Sequence, residues 1–265
     1  MGVAYGGVDS YDFHSLECIQ CLAERRKGGE TGVSWVEALR GQEVWDTMEL
    51  GSWDDGGWSL KLLESCLTRS HTLQQARKDE KKEGNLGGSF CKRFPSFQEM
   101  REIVDDPIAY RFQYTDGTRG TMLLLNKLVA DFNVAAKLVG RDDLLSCQMY
   151  LDAGRAPDVP NNVQYSSLTM SNAEKLFLSN ESQYPIERTL MTGGIVEAGC
   201  QSLTLKKKIL TPHMAGLTYT APEQSLFGGH GESHDYRAVR HGRVISDAPF
   251  GGGMTNSEID ALQKN

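Results

Sequence analysis

Apolar residues recur at helical spacing near the start of the chain. They form a single stripe of Leu16, Ile19, Leu22 and Ala23, the pattern of a helix that buries one face. Short oxygen-bearing side chains precede the stripe, and either Ser10 or Asp12 can cap the first turn. Further helices are predicted over residues 41–53, 60–67, 96–104, 171–178 and 185–203. The last of them begins at a proline, which is favoured in the first turn of a helix.

The middle of the chain changes to a period of two, which is typical of strands. Side chains of residues 108–114 alternate between two faces, a turn follows at Asp116-Gly117, and residues 119–126 return as the second strand of a hairpin. Leucines at 123–125 lack polar alternation, which predicts that both faces of that strand are covered. Further strands are predicted at 33–39, 132–139, 144–151, 163–170, 205–210 and 216–220. Together the elements predict an α+β fold built on a largely antiparallel sheet.

Composition divides the chain into one domain and a polar tail. Residues 1–222 contain all the predicted elements, whereas residues 223–265 are polar and glycine-rich, so we expect a poorly ordered tail. Within the domain, residues 68–88 are strongly charged and nearly free of apolar side chains. Such a segment cannot bury enough surface to hold a fixed structure, which predicts a mobile insertion or a solvated helix.

The net charge narrows the choice of partner. With 28 basic and 35 acidic residues the chain carries a formal charge of -7, which disfavours nucleic acid and anionic membranes as partners. No apolar run approaches the roughly 20 residues of a membrane-spanning helix, and the first residues lack the pattern of a secretory signal. The six cysteines are too widely spread for a disulfide framework, which favours a reducing compartment and a cytoplasmic location.

Two groups of residues invite a binding interpretation that their spacing does not favour. His14 and Cys21 lie on one predicted helix, seven residues apart. That spacing is about 10.5 Å along the axis, so they cannot ligate one zinc ion, and we expect no metal site. Trp45, Trp53 and Trp58 lie close in sequence. We expect them to pack in the core or at an interface, with a sugar-stacking platform as the alternative.

His14 is the residue best placed for chemistry. It falls in the first turn of the first predicted helix, where the positive end of the helix dipole favours a neutral imidazole. Beside Asp9 and Tyr11, a neutral imidazole could exchange a proton with a substrate hydroxyl. The structural alternative is a first-turn histidine that only hydrogen-bonds a neighbouring loop.

Several segments together resemble the second half of the Gfo/Idh/MocA-type oxidoreductases, the family of glucose–fructose oxidoreductase and inositol dehydrogenase. The likeness spans roughly residues 1–220. It rests on Gly6-Gly7 with Asp9 and His14, and on the runs ERRKGGETGV (24–33), YTDGTRG (114–120) and YPIERTL (184–190). It implies an open, mainly antiparallel sheet with helices packed on one face. It also implies a substrate-binding role and a homo-oligomer that associates through the sheet face.

With this resemblance, the candidate site has two kinds of residue. His14 matches the family's substrate-facing histidine, and Asp9 is the acidic residue beside it; both are catalytic candidates. Tyr11, Glu187 and Arg188 are candidates for binding a sugar-like substrate. In the family an aspartate is favoured four residues before the histidine, a position that holds a serine in this chain.

The chain lacks the motifs of the family's cofactor-binding half. It contains no strand–G-x-G-x-x-G–helix segment for a nicotinamide cofactor and no Glu-Lys-Pro sequence for the family's catalytic lysine. We therefore expect no cofactor in this chain, and NAD(P) only if a Rossmann domain is supplied from elsewhere. The expected function is the substrate-binding and oligomerisation half of a sugar or polyol oxidoreductase. The alternatives are a non-catalytic binding or assembly protein and a shortened gene model.

Overall fold

A seven-stranded sheet forms the centre of the computed structural model, which describes residues 1–74, 94–149 and 161–223. Its strands are β1 (Gly2–Ala4), β2 (Val33–Arg40), β3 (Ile108–Tyr114), β4 (Arg119–Leu124), β5 (Phe132–Lys137), β6 (Leu144–Met149) and β7 (Ile209–Leu210). Side by side they follow the order β6-β5-β1-β4-β3-β2-β7. β1 and β4 are parallel, and every other described pair is antiparallel. The predicted α+β class and mainly antiparallel open sheet are confirmed.

The described residues also form seven helices. They are α1 (Tyr11–Ala23), α2 (Gln42–Glu49), α3 (Leu60–Arg69), α4 (His71–Gln74), α5 (Phe97–Ile103), α6 (Asn161–Ser179) and α7 (Ile186–Leu205). The chain divides into two compact units. The first comprises Met1–Met149 and Ile186–Ala221, and α6 belongs to the second, Tyr150–Pro185 with Pro222–Asn265. None of the helices described is long and apolar enough to cross a membrane.

Helices cover both faces of the sheet, where the resemblance implied one. On one face α1 and α7 pack over a core that includes Tyr110 and Leu124. On the other face α2, α3 and α5 pack over a core that includes Ala109 and Leu123. Neighbouring residues of a strand point to opposite faces, so each strand supplies both cores. The leucines at 123–125 are fully buried, which confirms that their strand is covered on both sides.

Two predicted strands are wrong. Residues 163–170 lie inside α6, which begins at Asn161, so Ser171 does not begin a helix of its own. Val163, Tyr165, Leu168 and Met170 fit helical and alternating patterns almost equally, and so short an apolar pattern does not decide between the two. Residues 216–220 form no strand, and the strand predicted at 205–210 shrinks to β7 because α7 continues to Leu205.

The pattern of apolar residues missed β1, although β1 lies in the interior of the sheet. This strand is three residues long and completely buried, which is too short for any periodicity to be visible. It pairs with β4 on one side and β5 on the other. Its position brings the loop that follows it, and the start of α1, to one end of the sheet.

The charged insertion begins later than its composition predicts. Residues 68–74 complete α3 and form α4, with Ser70 and Leu73 fully buried. The rest of the predicted insertion, and the predicted tail from residue 224 onwards, lie outside the described residues.

Candidate functional site

The carboxylate of Asp12 fixes the loop between β1 and α1. It is fully buried and accepts hydrogen bonds from the backbone N–H groups of Asp9, Ser10 and Phe13 at 3.0, 2.8 and 2.9 Å. The hydroxyl of Tyr110 donates a fourth, at 3.0 Å. The side chain of Ser10 makes no capping bond, so of the two capping candidates Asp12 is the one that binds the start of α1.

The same loop needs a glycine at position 6. Gly6 has a φ of 103°, and a Cβ there would lie 2.3 Å from the Cβ of Tyr11. The side-chain amide of Asn126 binds both backbone groups of Gly6. Oδ1 of Asn126 accepts from Gly6 N–H at 2.7 Å, and Nδ2 of Asn126 donates to Gly6 C=O at 3.0 Å. This tight turn sets where Tyr11 emerges from α1.

The connection from β1 to α1 has the outline of a dinucleotide-binding turn but not its chemistry. Such a turn binds pyrophosphate with free N–H groups at the start of a helix. Here the N–H groups of Asp9 and Ser10 already donate to the Asp12 carboxylate. A phosphate would have to displace a buried negative charge, so this turn does not fit a dinucleotide.

His14 lies on the exposed side of the first turn of α1, in what we call the aromatic cluster: Tyr5, Tyr11, His14 and Phe132. The imidazole plane is nearly perpendicular to both neighbouring rings, with its centroid 5.6 Å from the Tyr11 ring and 5.7 Å from the Phe132 ring. Tyr11 and Phe132 are nearly parallel, with their centroids 6.2 Å apart. Tyr5 completes the cluster at 5.3 Å from Phe132.

Burial lowers the pKa of the His14 imidazole, and the charge of Asp12 offsets part of that shift. The direction is the one that the sequence suggested, and loss of hydration on burial is the cause that the structure adds. The imidazole makes no hydrogen bond to any described residue. A neutral ring without a hydrogen-bond partner can accept a proton from a ligand hydroxyl.

Asp9 is not one of the residues of the aromatic cluster. It lines a shallow groove of about 500 Å³ between α1 and α7, whose other lining residues are Ser10, Phe13, Gly193, Val196, Glu197 and Cys200. The carboxylate that acts on His14 is Asp12 and not Asp9. Among the described residues, no hydrogen bond or charge interaction links Asp9 to the His14 imidazole.

The thiol that opens into this groove is not activated. Burial raises the pKa of Cys200, and the carboxylates of Asp12 and Asp9 raise it further, against a smaller opposing effect of the Tyr110 hydroxyl. Cysteine reacts as the thiolate. Cys200 is therefore a poor candidate for a nucleophile.

Arg188 is held in a buried ion pair rather than presented to solvent. Its Nε and Nη2 lie 2.8 and 2.6 Å from the two carboxylate oxygens of Glu24, and the two side chains are 5% and 1% exposed. To bind a substrate with these nitrogens, Arg188 would have to leave a buried carboxylate without its partner. Glu187 lies in the first turn of α7 and is half-buried.

A buried polar network surrounds this ion pair, and the sequence analysis did not detect it. Gln20 donates to the hydroxyl of Tyr219 at 2.7 Å and to the Glu30 carboxylate, and it accepts from the hydroxyl of Tyr114 at 2.7 Å. Tyr219 in turn donates to Glu24 at 2.9 Å. The signal was present in the spacing, because residue 20 follows the buried Leu16 by four on one face of α1, and residue 24, the C-cap of α1, follows by four more.

Two of the three tryptophans are core residues. Trp45 and Trp58 are 4% and 1% exposed, which confirms the expected packing. Trp53 instead stacks on Trp35, with ring centroids 5.8 Å apart. The Arg111 guanidinium lies 4.5 Å from the Trp53 centroid, and a lysine ammonium covers Trp35 at 4.1 Å. These rings are already in contact with cations, so they do not form an open platform for a sugar.

Comparison with known proteins identifies no relative: no family model, curated protein or solved structure matches the chain. Within the described ranges, no group of three or more His, Cys, Asp or Glu side chains could hold a metal ion. The function therefore has to be argued from the geometry around His14.

Proposed function

We propose that this chain is the substrate-binding half of an NAD(P)-dependent oxidoreductase for a sugar or polyol, and that the substrate binds at the aromatic cluster. The observation that carries the proposal is the environment of His14. Its imidazole is accessible, its pKa is lowered, it has no hydrogen bond to a described residue, and aromatic rings flank it.

Aromatic rings and a neutral imidazole suit the two surfaces of a polyol. The C–H groups of a sugar are apolar and pack against aromatic carbon, while its hydroxyls need a few well-placed polar partners. Tyr11 and Phe132 offer nearly parallel rings, and the His14 imidazole beside them offers the polar group. His14 would accept the proton of the reacting hydroxyl as a general base.

The nicotinamide cofactor has to be carried by another domain. The β1–α1 turn does not fit a pyrophosphate, because Asp12 already uses its N–H groups. The role proposed for this chain is therefore limited to binding the substrate and moving its proton. Of the other candidates, Tyr11 belongs to the cluster, whereas the roles of Asp9, Glu187 and Arg188 rest on the resemblance alone.

Calorimetry on the isolated chain tests the proposal, with glucose, myo-inositol and mannitol as probes and with NAD⁺ and NADP⁺ as cofactors. We expect at least one polyol to bind and neither dinucleotide to bind. The variant His14→Ala should weaken polyol binding at least about tenfold, the value of one hydrogen bond to a polar group in a partly dry site.

The matched control is His213→Ala, which removes another histidine that is exposed and lies outside the cluster. This variant should bind as the unaltered chain does. If no polyol binds, or if both histidine variants bind equally well, His14 is not part of a polyol site. Binding of a dinucleotide by the chain alone would contradict the assignment of the cofactor to another domain.

A second candidate is a non-catalytic binding or assembly domain. It is favoured by the lack of a described interaction between Asp9 and His14 and by an apolar pair on the surface of α7. Ile186 and Leu190 are 74% and 59% exposed one turn apart. Exposed apolar patches are typical of interfaces. Light scattering at micromolar concentration distinguishes the two, because an assembly domain should not be monomeric.

A further inference from the structure

The segment that follows β7 crosses the end of the sheet without forming a helix or strand of its own. We call residues 211–219 the strap. At its beginning, Thr211 donates through its hydroxyl to Val33 C=O at 2.6 Å and through its N–H to Ser34 C=O at 3.0 Å. These bonds attach the first residue of the strap to β2.

Met214 is the second point of attachment. It is 1% exposed and fits between two glycines. A Cβ on Gly32 would lie 2.2 Å from Met214 C=O, and a Cβ on Gly194 would lie 2.2 Å from its sulfur. The glycines leave the hollow that the methionine fills, so the strap covers a gap between β2 and α7.

Tyr219 is the third point of attachment and the most polar. Its hydroxyl accepts from Gln20 Nε2 at 2.7 Å and donates to Glu24 Oε2 at 2.9 Å. Both partners are buried, at 1% and 2% exposure. A single hydroxyl supplied by the strap therefore satisfies one donor and one acceptor of the buried polar network.

Apart from Leu217, which packs against the core, the rest of the strap has weak support. Residues 212, 213, 216 and 218 are exposed. The backbone N–H groups of Met214, Ala215 and Leu217 all donate to carbonyl groups within the strap itself. Segments with few buried contacts and mostly local hydrogen bonds open at a lower free energy than a sheet does.

We propose that the strap opens while the sheet stays folded, and that the hydrogen bonds of the Tyr219 hydroxyl hold it closed. When the strap is open, the position of that hydroxyl is a binding site for the hydroxyl group of a phenol or alcohol. Opening leaves Gln20 Nε2 and Glu24 Oε2 without their shared partner. Arg188 balances the charge of Glu24, so the exposed site favours a neutral hydroxyl over an ion. The proposal does not depend on the aromatic cluster.

Hydrogen exchange measures the opening directly. In the unaltered protein the N–H groups of Met214, Ala215 and Leu217 should exchange faster than those of β2 and β3. Tyr219→Phe removes the hydroxyl alone and should speed their exchange about tenfold or more, because a hydrogen bond to a charged group is lost. The control Thr218→Ala, at an exposed neighbour, should leave the rates unchanged. Strap amides that exchange only as fast as the sheet would overturn the proposal.

The binding site is tested by filling it from solution. In Tyr219→Ala, p-cresol should bind at least about tenfold more tightly than toluene, because only p-cresol offers a hydroxyl that can accept from Gln20 and donate to Glu24. Equal affinity for the two would overturn the site. In Tyr219→Phe the ring still fills the position, so p-cresol should not bind there; equal binding to both variants would place it elsewhere and contradict the assignment.

Discussion

Two glycines of α7 differ sharply in what surrounds them. A Cβ on Gly199 would lie 2.5 Å from the ring of Tyr110, whereas a Cβ on Gly193 would meet nothing within 4 Å. Tyr110 is fully buried and cannot move away easily. Gly199 is therefore required for α7 to pack on the sheet, and Gly193 is not.

Alanine at these two positions should have opposite effects on the free energy of unfolding. We expect Gly199→Ala to lower it by about 1–3 kcal/mol through overpacking. Gly193→Ala should raise it by about 0.5–1 kcal/mol, because alanine is the better helix former and nothing obstructs it. Urea denaturation measures both. A Gly199→Ala variant as stable as Gly193→Ala would contradict the close packing of α7 on Tyr110.

The partly buried carboxyl of Glu17 makes the stability of the fold depend on pH. Burial raises the pKa of its carboxyl, and the hydroxyl of Thr192, which donates to it at 2.5 Å, offsets part of the shift. A carboxyl with a raised pKa binds its proton more tightly in the folded state. Stability is therefore lost as pH rises from the ordinary value near 4.5 through the raised folded value.

Glu17→Gln removes that loss while keeping an oxygen for Thr192. We expect the variant to be more stable than the unaltered chain at pH 7, and the two to be equally stable below about pH 3.5, where the carboxyl is protonated in both states. Urea denaturation at the two pH values decides it. A variant that is less stable at pH 7 would show that the charge of Glu17 is stabilising.

Individual residues show how far the sequence alone could go. A lowered pKa for His14 was predictable from its place in a first turn, whereas the burial that lowers it was not. The aromatic cluster was not predictable, because Tyr5 directly follows β1 whereas Phe132 begins β5, far along the chain. Nor was the pairing of Arg188 with Glu24, which lie 164 residues apart; spacing predicts neighbours within an element, not contacts between elements.

At the scale of elements, the start of α1 depends on one carboxylate. Asp12→Ala would leave three N–H groups and the Tyr110 hydroxyl without their acceptor. We expect it to lower the free energy of unfolding by about 3 kcal/mol or more. Ser10→Ala removes a side chain that makes no capping bond, so it should change stability by less than about 0.5 kcal/mol. Thermal and urea denaturation compare the two, and equal effects would contradict the role of Asp12.

The contact between α1 and α7 depends on a buried ion pair. Arg188→Met would leave Glu24 buried without its main partner and should cost about 3–5 kcal/mol. The control is Arg40→Met, because Arg40 pairs with Asp106 where the two side chains are 60% and 50% exposed. That change should cost less than about 1 kcal/mol. A similar small cost for both would mean that the buried pair adds little to the packing of these helices.

Some elements were predictable and others were not, for physical reasons. The β3–β4 hairpin carried both an alternating pattern and an Asp-Gly turn, two local signals that agree. β1 carried neither, since its position in the sheet comes from pairing with strands more than 110 residues away. In α6 the apolar residues fit both a strand period and a helix period, so the pattern predicted a strand where the structure has a helix.

For the whole molecule, the sheet has two cores rather than one. α1 and α7 cover one face, and α2, α3 and α5 cover the other. Because helices cover both faces, self-association through an exposed sheet face is less favoured than the resemblance implied. The exposed apolar pair Ile186 and Leu190 on α7 is a better place to look for a contact between copies.

Nuclear magnetic resonance of the His14 ring would show whether the aromatic cluster around His14 receives a polyol. We predict that the imidazole titrates below the ordinary value near 6.5. A bound polyol should lower that pKa further, because a donated hydroxyl stabilises the neutral ring, and should shift the ring signals of Tyr11. A His14 that titrates at 6.5 or above, with no ring signal of the cluster moved by any polyol, would contradict the claim.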